Sequence, residues 1–366
     1  MTAAALVVLA AGALVAFANG ANDVSKGIAT LAGCGVTDTR RAIRWGALCT
    51  GLGGLAGAAL AGAMLSTFGH GLLVPGTAPT FPAALATILG ASAWIVLATR
   101  TGLPVSTTHA LLGAIAGVGI AAYGAGALNW GSIGGKIALP LLASPLASLA
   151  STHALTRLLR GRADCLCAGV EPAAIASAAQ AGPAIQAGAR LHLAVAPVQE
   201  CPAGRGVSVR LTLDHLHWLT SGGASAARGM NDAPKIAALV LAAAALSGGG
   251  SMDPGLVFTA ITAGMVGGSV VAGRRVTRIL AEKITPMDHR EGFTANLVTA
   301  LLVAAGAVGG LPMSTTHVSA GAILGMGTGR SARSIQWGTV RDMALAWIVT
   351  LPAAALLGVL AWEALS

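Results

Sequence analysis

The chain has 366 residues; hydrophobic types make up 55% and charged residues only 10%, and 22 Lys and Arg against 13 Asp and Glu leave a net charge of +9. A soluble domain carries about 25% charged residues, so this composition excludes a globular protein behind a water-facing shell. With 4% aromatics and its basic residues in short clusters, the chain also lacks the footprint of a nucleic-acid binder.

From Met64 to Thr99 there is no Lys, Arg, Asp or Glu, a longer run than the roughly 20 apolar residues that cross a bilayer. The abundant Gly and Ala suit close packing of membrane helices, and the alternating pattern of a β-barrel is missing. The expectation is an all-α integral membrane protein. The first 20 residues have the look of a signal peptide, but no Lys or Arg precedes the apolar run. Asn19–Gly27 also belongs to an internal repeat.

GANDVSKGIATL (Gly20–Leu31) matches RGMNDAPKIAAL (Arg228–Leu239), LPVSTTH (Leu103–His109) matches LPMSTTH (Leu311–His317), and Asn129-Trp130-Gly131 matches Gln336-Trp337-Gly338, at offsets of 209, 208 and 207. This predicts a first transmembrane repeat over 1–158, a linker over 159–209 and a second repeat over 210–366. In chain order the spans of half one fall at about 1–39, with a break near Asn19–Asp23, then 45–65, 83–101, 105–122 and 132–158. That makes about five per half, with discontinuous or re-entrant helices.

Arg40, Arg41 and Arg44 lie in a loop whose counterpart in half two, Ser247–Asp253, has no basic residue. The uncharged Ser66–Pro82 is matched instead by Arg274, Arg275, Arg278, Lys283 and Arg290. Basic loops mark the cytoplasmic side, so the halves are expected to be inverted, as in many secondary transporters. Both termini then lie outside and the arginine-rich linker is cytoplasmic, in the inner (plasma) membrane. The linker, rich in Ala, Gly and Pro, reads as an ordinary mobile loop. Cys165, Cys167 and Cys201 there do not match a zinc spacing, and the five cysteines do not suggest a disulfide framework.

Ionisable residues inside a membrane are functional candidates. Asp23 and Asp232, each preceded by an Asn (Asn22, Asn231), suit cation coupling by oxygen ligands; the same dipeptide is also good turn chemistry. Leu-Pro-X-Ser-Thr-Thr-His reads as a helix start, with Ser or Thr capping. Its free N–H groups and the hydroxyls of Ser106, Thr107, Thr108, Ser314, Thr315 and Thr316 could cradle an anion. Lys26 and Lys235, one turn past their aspartates, either pair with them or reach the anion. Arg228, whose equivalent is Asn19, either attracts the anion or snorkels to the interface. His109 and His317 either titrate near neutrality or stay neutral against a carbonyl. A Ser–His hydrolase is disfavoured: there is no Gly-x-Ser-x-Gly turn, and inverted halves have no use for two nucleophiles.

GANDVSKG with LPVSTTH, and RGMNDAPK with LPMSTTH, resemble the paired signatures of the inorganic phosphate transporter (PiT) family, across both halves but not the linker. The resemblance implies phosphate import with sodium or protons and no other cofactor. It implies cation coupling and phosphate binding at Asn22, Asp23, Asn231 and Asp232, and phosphate binding at the two Ser-Thr-Thr clusters; a homodimer is common among such carriers. Many members have a second Asn where Lys26 and Lys235 stand, which favours protons over sodium. Hydrogen phosphate can donate a proton to a carboxylate and sulfate cannot, so phosphate is favoured over sulfate, and arsenate is expected to enter too. A sulfate or other oxyanion permease and a phosphate-binding membrane sensor are the alternative readings.

Overall fold

Within a bilayer each backbone N–H and C=O must find a partner inside the protein, and the apolar runs do so as helices. The computed structural model describes residues 2–69, 71–161, 164–171, 190–196, 208–248, 251–330 and 334–366. Helices α1 (Ala3–Asp23) and α2 (Ser25–Gly33) are separated only at Val24 and form one 31-residue span. Helix α3 (Thr39–Ala59) starts at Asp38, whose carboxylate accepts the N–H groups of Arg40 and Arg41. The backbone N–H of Arg41, foremost, holds this exposed carboxyl below the usual Asp range. Helix α4 (Gly62–Gly69) follows after an 83° bend. Then come α5 (Phe81–Thr101), α6 (Thr107–Tyr123), α7 (Trp130–Ser132) and, after a π-helical stretch over Ile133–Ala138, α8 (Leu139–Leu158).

The second half holds α9 (Leu213–Ala245), which runs through Pro234 without a break, α10 (Pro254–Ala272), α11 (Arg274–Glu282), α12 (His289–Val308), α13 (Thr315–Arg330) and α14 (Trp337–Leu365). Among the described residues, six helices are long and apolar enough to cross a membrane, seven if the bent α3–α4 pair is one span. Ten spans were expected from the repeat. The difference has physical causes: α6 and α13 have 17 and 16 residues, short of a bilayer's thickness, and α9 is diluted by Arg228, Asp232 and Lys235. The expected break near Asn19–Asp23 is slight. The sharp one lies between Ala59 and Gly62, inside the span expected at 45–65.

The linker departs from the mobile loop expected of it. Strands β1 (Cys165–Glu171), β2 (Arg190–Ala196) and β3 (Ser208–Thr212) form an antiparallel sheet in the order β2-β1-β3. Leu191, Leu193 and Val195 alternate with smaller or polar residues, a two-residue period hidden by the Ala- and Gly-rich surroundings. Cys167 is disulfide-bonded, so it is not available as a thiolate ligand. Cys201, the third thiol of the weighed metal site, lies outside the described residues. Among the described residues no group of three His, Cys, Asp or Glu is placed to hold a metal.

Packing pairs the halves crosswise: α3 lies against α9, α1 against α10, α6 against α14 and α8 against α13. Small residues allow it: a Cβ on Gly53 would collide with the Ala226 carbonyl, and one on Gly268 with that of Phe17. The contacts advance together along each pair. Trp45 meets Gly222, Gly53 meets Ala226 and Gly57 meets Met230; Ala13 meets Gly264 and Phe17 meets Gly268; Gly113 meets Leu351 and Gly117 meets Ala355; Pro145 meets Gly321 and Leu149 meets Gly325. Each of these four pairs is therefore parallel. Large apolar side chains such as Leu142, Leu146, Val271 and Ile348 face outward, as lipid contact requires.

Candidate functional site

The two Leu-Pro-X-Ser-Thr-Thr-His segments start helices as read. Ser106 Oγ accepts the His109 N–H (3.3 Å) at the start of α6, and Ser314 Oγ accepts the His317 N–H (3.2 Å) at the start of α13. Each start is also held by the other. Thr108 donates to the Met313 carbonyl (3.3 Å), and Thr316 donates to the Val105 carbonyl (2.8 Å). The two clusters therefore meet, with all six hydroxyl residues buried.

The Asn-Asp pairs face the same place. Asn22 donates to Thr99 Oγ1 and to the Leu103 carbonyl and accepts the Val105 N–H. Asn231 donates to the Met313 carbonyl (2.9 Å) and accepts the Met313 N–H (3.2 Å). Each asparagine thus clamps the entry of the Ser-Thr-Thr helix of its own half. Asp23 and Asp232, from different halves, are brought together: the Asn19 amide nitrogen lies 3.2 Å from Asp23 Oδ2, 3.1 Å from Asp232 Oδ2 and 2.9 Å from Thr107 Oγ1. Thr107 itself reaches Asp23 Oδ2 at 3.4 Å. Thr315, its counterpart, is buried but has no side-chain hydrogen bond among the described residues.

Both lysines pair with their aspartates. Lys26 Nζ is 2.6 Å from Asp23 Oδ1, 2.7 Å from Asn22 Oδ1 and 2.9 Å from the Asn22 carbonyl. Lys235 Nζ is 3.2 Å from Asp232 Oδ1, 2.8 Å from Thr108 Oγ1 and 3.0 Å from the Met313 carbonyl. Each ammonium meets three oxygens, one for each N–H donor it has. Arg228 does not snorkel: it is 1% exposed, donating to Asn19 Oδ1 (3.3 Å) and Thr50 Oγ1 (2.6 Å). The imidazoles of His109 and His317 lie 4.6 Å apart by ring centroid, and Trp347 is 4.1 Å from His317. His317 Nδ1 lies 3.3 Å from the Leu141 carbonyl, while His109 Nδ1 has no partner among the described residues.

Asn19, Thr50, Thr99 and Trp347 were not anticipated as site residues. Asn19 left a signal: it stands one helical turn before Asp23 and aligns with Arg228. Thr50, Thr99 and Trp347 left none, because only the crossing of helices brings them in.

A multi-pass helical protein with buried charges and hydroxyls, gathered from both halves at helix crossings, is by class a membrane transporter. The chain belongs to the phosphate transporter family, whose model matches residues 19–358. It is 30% identical over 395 residues to a candidate phosphate permease of Thermococcus kodakarensis, covering 96% of this chain and 95% of that one. It is 27% identical over 361 residues to a candidate low-affinity inorganic phosphate transporter of Mycobacterium tuberculosis, covering 96% and 75%. A solved structure described as the sodium-dependent phosphate transporter shares the fold at a TM-score of 0.78, over 100% of this chain and 99% of that one, with 23% identity. A family of transporters agrees with the reading that the Ser–His pairs are not a hydrolase site.

Proposed function

We propose that this protein is a secondary active transporter that imports inorganic phosphate by cation symport, with the anion bound near the middle of the bilayer between two inverted halves. The observation that carries this reading is the meeting of Asp23 and Asp232 at one amide, Asn19. Inversion is supported by the parallel crosswise pairs. Helix α9 carries the motif of α1–α2 yet runs with α3, which follows α2 through a short loop. Successive spans alternate in direction, so equivalent helices then point opposite ways. The unequal basic loops support the same arrangement and put the linker in the cytoplasm. The disulfide at Cys167 speaks against that side, since such bonds are rare in the cytosol; impermeant thiol labelling of introduced linker cysteines in whole cells separates the two.

Coupling is to protons rather than sodium. The solved neighbour is described as sodium-dependent, but here Lys26 and Lys235 already supply a cation to each carboxylate. In this reading Asp23 and Asp232 carry the coupling, the Ser-Thr-Thr clusters bind phosphate, and His109 and His317 are accessory. Arsenate, with nearly the same shape, enters the same site.

The test is uptake of labelled phosphate into proteoliposomes. An inward proton gradient is expected to drive accumulation and a sodium gradient to have no effect. Accumulation driven only by sodium would overturn the coupling assignment. Sulfate competing as well as phosphate would make this an oxyanion permease, and binding without uptake a sensor.

A further inference from the structure

Buried charge in the spanning helices is unequal between the halves. Asp23 is paired with Lys26 and Asp232 with Lys235, whereas Arg228 makes no ion pair among the described residues. Two of its N–H groups are used on neutral oxygens, Asn19 Oδ1 and Thr50 Oγ1, and its Nε is buried with no partner among the described residues. One turn earlier on α9, the Ser225 hydroxyl is likewise buried with no partner among the described residues. The lysines differ in kind, since their donors are all taken. Asp23 and Asp232 lie beyond Asn19, on its amide nitrogen, and neither carboxylate reaches Arg228 at ion-pair distance. A desolvated cation with a spare N–H and no direct carboxylate contact is unfavourable, and a guanidinium's planar fork matches a tetrahedral oxyanion. Helix packing as such does not require the arginine, because the equivalent place in half one is filled by Asn19.

We propose that Arg228 is the charge partner of the transported anion and a determinant of its selection, so that phosphate sits toward the α3–α9 crossing rather than midway between it and the equivalent α1–α10 crossing. The inference rests on the transport reading above and adds an asymmetry to it. Asn19 is the link: its carbonyl oxygen faces Arg228 and its amide nitrogen faces both carboxylates and Thr107. An anion drawing Arg228 toward itself thus loosens the group that holds Asp23 and Asp232 together.

The experiment uses the full chain, purified and reconstituted, as wild type, R228K and R228Q. Three quantities are read for each: KM for labelled phosphate, the rise in melting temperature with added inorganic phosphate, and inhibition of uptake by sulfate. Losing charge-assisted hydrogen bonds raises KM by about tenfold in R228K, which keeps the charge but not the fork, and by about a hundredfold in R228Q. Stabilisation by phosphate should shrink in the same order, and discrimination against sulfate should change in R228K. A wild-type KM and an unchanged phosphate-induced shift in R228Q overturn the assignment while leaving the transport reading intact. If R228Q does not fold, an unchanged KM in R228K overturns it equally, and failure of both variants to fold assigns Arg228 to structure alone. A wild-type protein that neither binds nor moves phosphate overturns the transport reading, and this inference with it.

Discussion

The two copies of the Asn-Asp-x-x-Lys motif are wired differently. In half one Lys26 is held within its own helix pair, by Asp23 and both oxygens of Asn22. In half two Lys235 keeps only Asp232 from its own helix and spends its other donors on Thr108 of α6 and the Met313 carbonyl before α13. Asn22 turns its oxygen to lysine, whereas Asn231 turns its amide to Asp232 (2.9 Å). Equal motifs in a duplicated chain thus need not do equal work: one half carries a self-contained ion pair and the other an ion pair that also ties the two Ser-Thr-Thr helix starts together.

That contrast can be broken most strongly at the aspartates. D23N and D232N each leave a buried lysine uncompensated, which costs about 3–5 kcal/mol, and both are expected to abolish phosphate uptake. The double changes sharpen the comparison. D23N/K26M should regain most of the lost thermal stability, because an apolar replacement removes the whole local pair. D232N/K235M should regain less, because Lys235 also joins Thr108 of α6 to the Met313 carbonyl before α13, whereas the two Asn22 oxygens that lose Lys26 stay within half one and keep Ser25 and Val105 as donors; equal recovery in melting experiments would show the wiring to be the same. A smaller difference is expected between T108V and T316V. The first removes a hydroxyl that serves a charged lysine, at about 1.5–3 kcal/mol, and the second a neutral hydrogen bond, at about 1 kcal/mol. S106A and S314A should cost about 1 kcal/mol each and equally, since the two caps have the same geometry. The smallest effect belongs to Asp38, exposed at the start of α3. Its carboxyl is held below the ordinary range by backbone N–H groups, so its contribution is present above the unfolded-state pKa and lost as pH falls through the lower folded value. D38A should therefore flatten the acid limb of a melting-temperature profile slightly and leave uptake alone.

Much of this architecture is legible in the order of residues. Offsets near 208 pair the motifs, apolar runs mark the spans expected at 83–101 and 105–122 to within two residues of Phe81–Thr101 and Thr107–Tyr123, and Leu-Pro-X-Ser-Thr-Thr-His announces two capped helix starts, because capping and apolarity are local properties. The linker sheet is not legible in the sequence: its alternation is short, and its nearest paired residues, Glu171 and Arg190, are 19 positions apart, beyond the reach of any local pattern. The bend between Ala59 and Gly62, inside the span expected at 45–65, is likewise not legible, since a run of Gly and Ala is equally apolar on either side of a turn.

The lysine–aspartate pairs follow from a spacing of three residues along a helix, and could be read without coordinates. The sharing of Asn19 between Asp23 and Asp232, the burial of Arg228 against Thr50, and the reach of Lys235 into the other half could not. Those depend on which glycines let α3 and α9 approach to backbone contact, and a crossing between elements some 170 residues apart is a property of packing. Side-chain chemistry is written locally in the chain, but which buried charge is paired with a carboxylate and which, like Arg228, meets only neutral oxygens is decided where the helices meet.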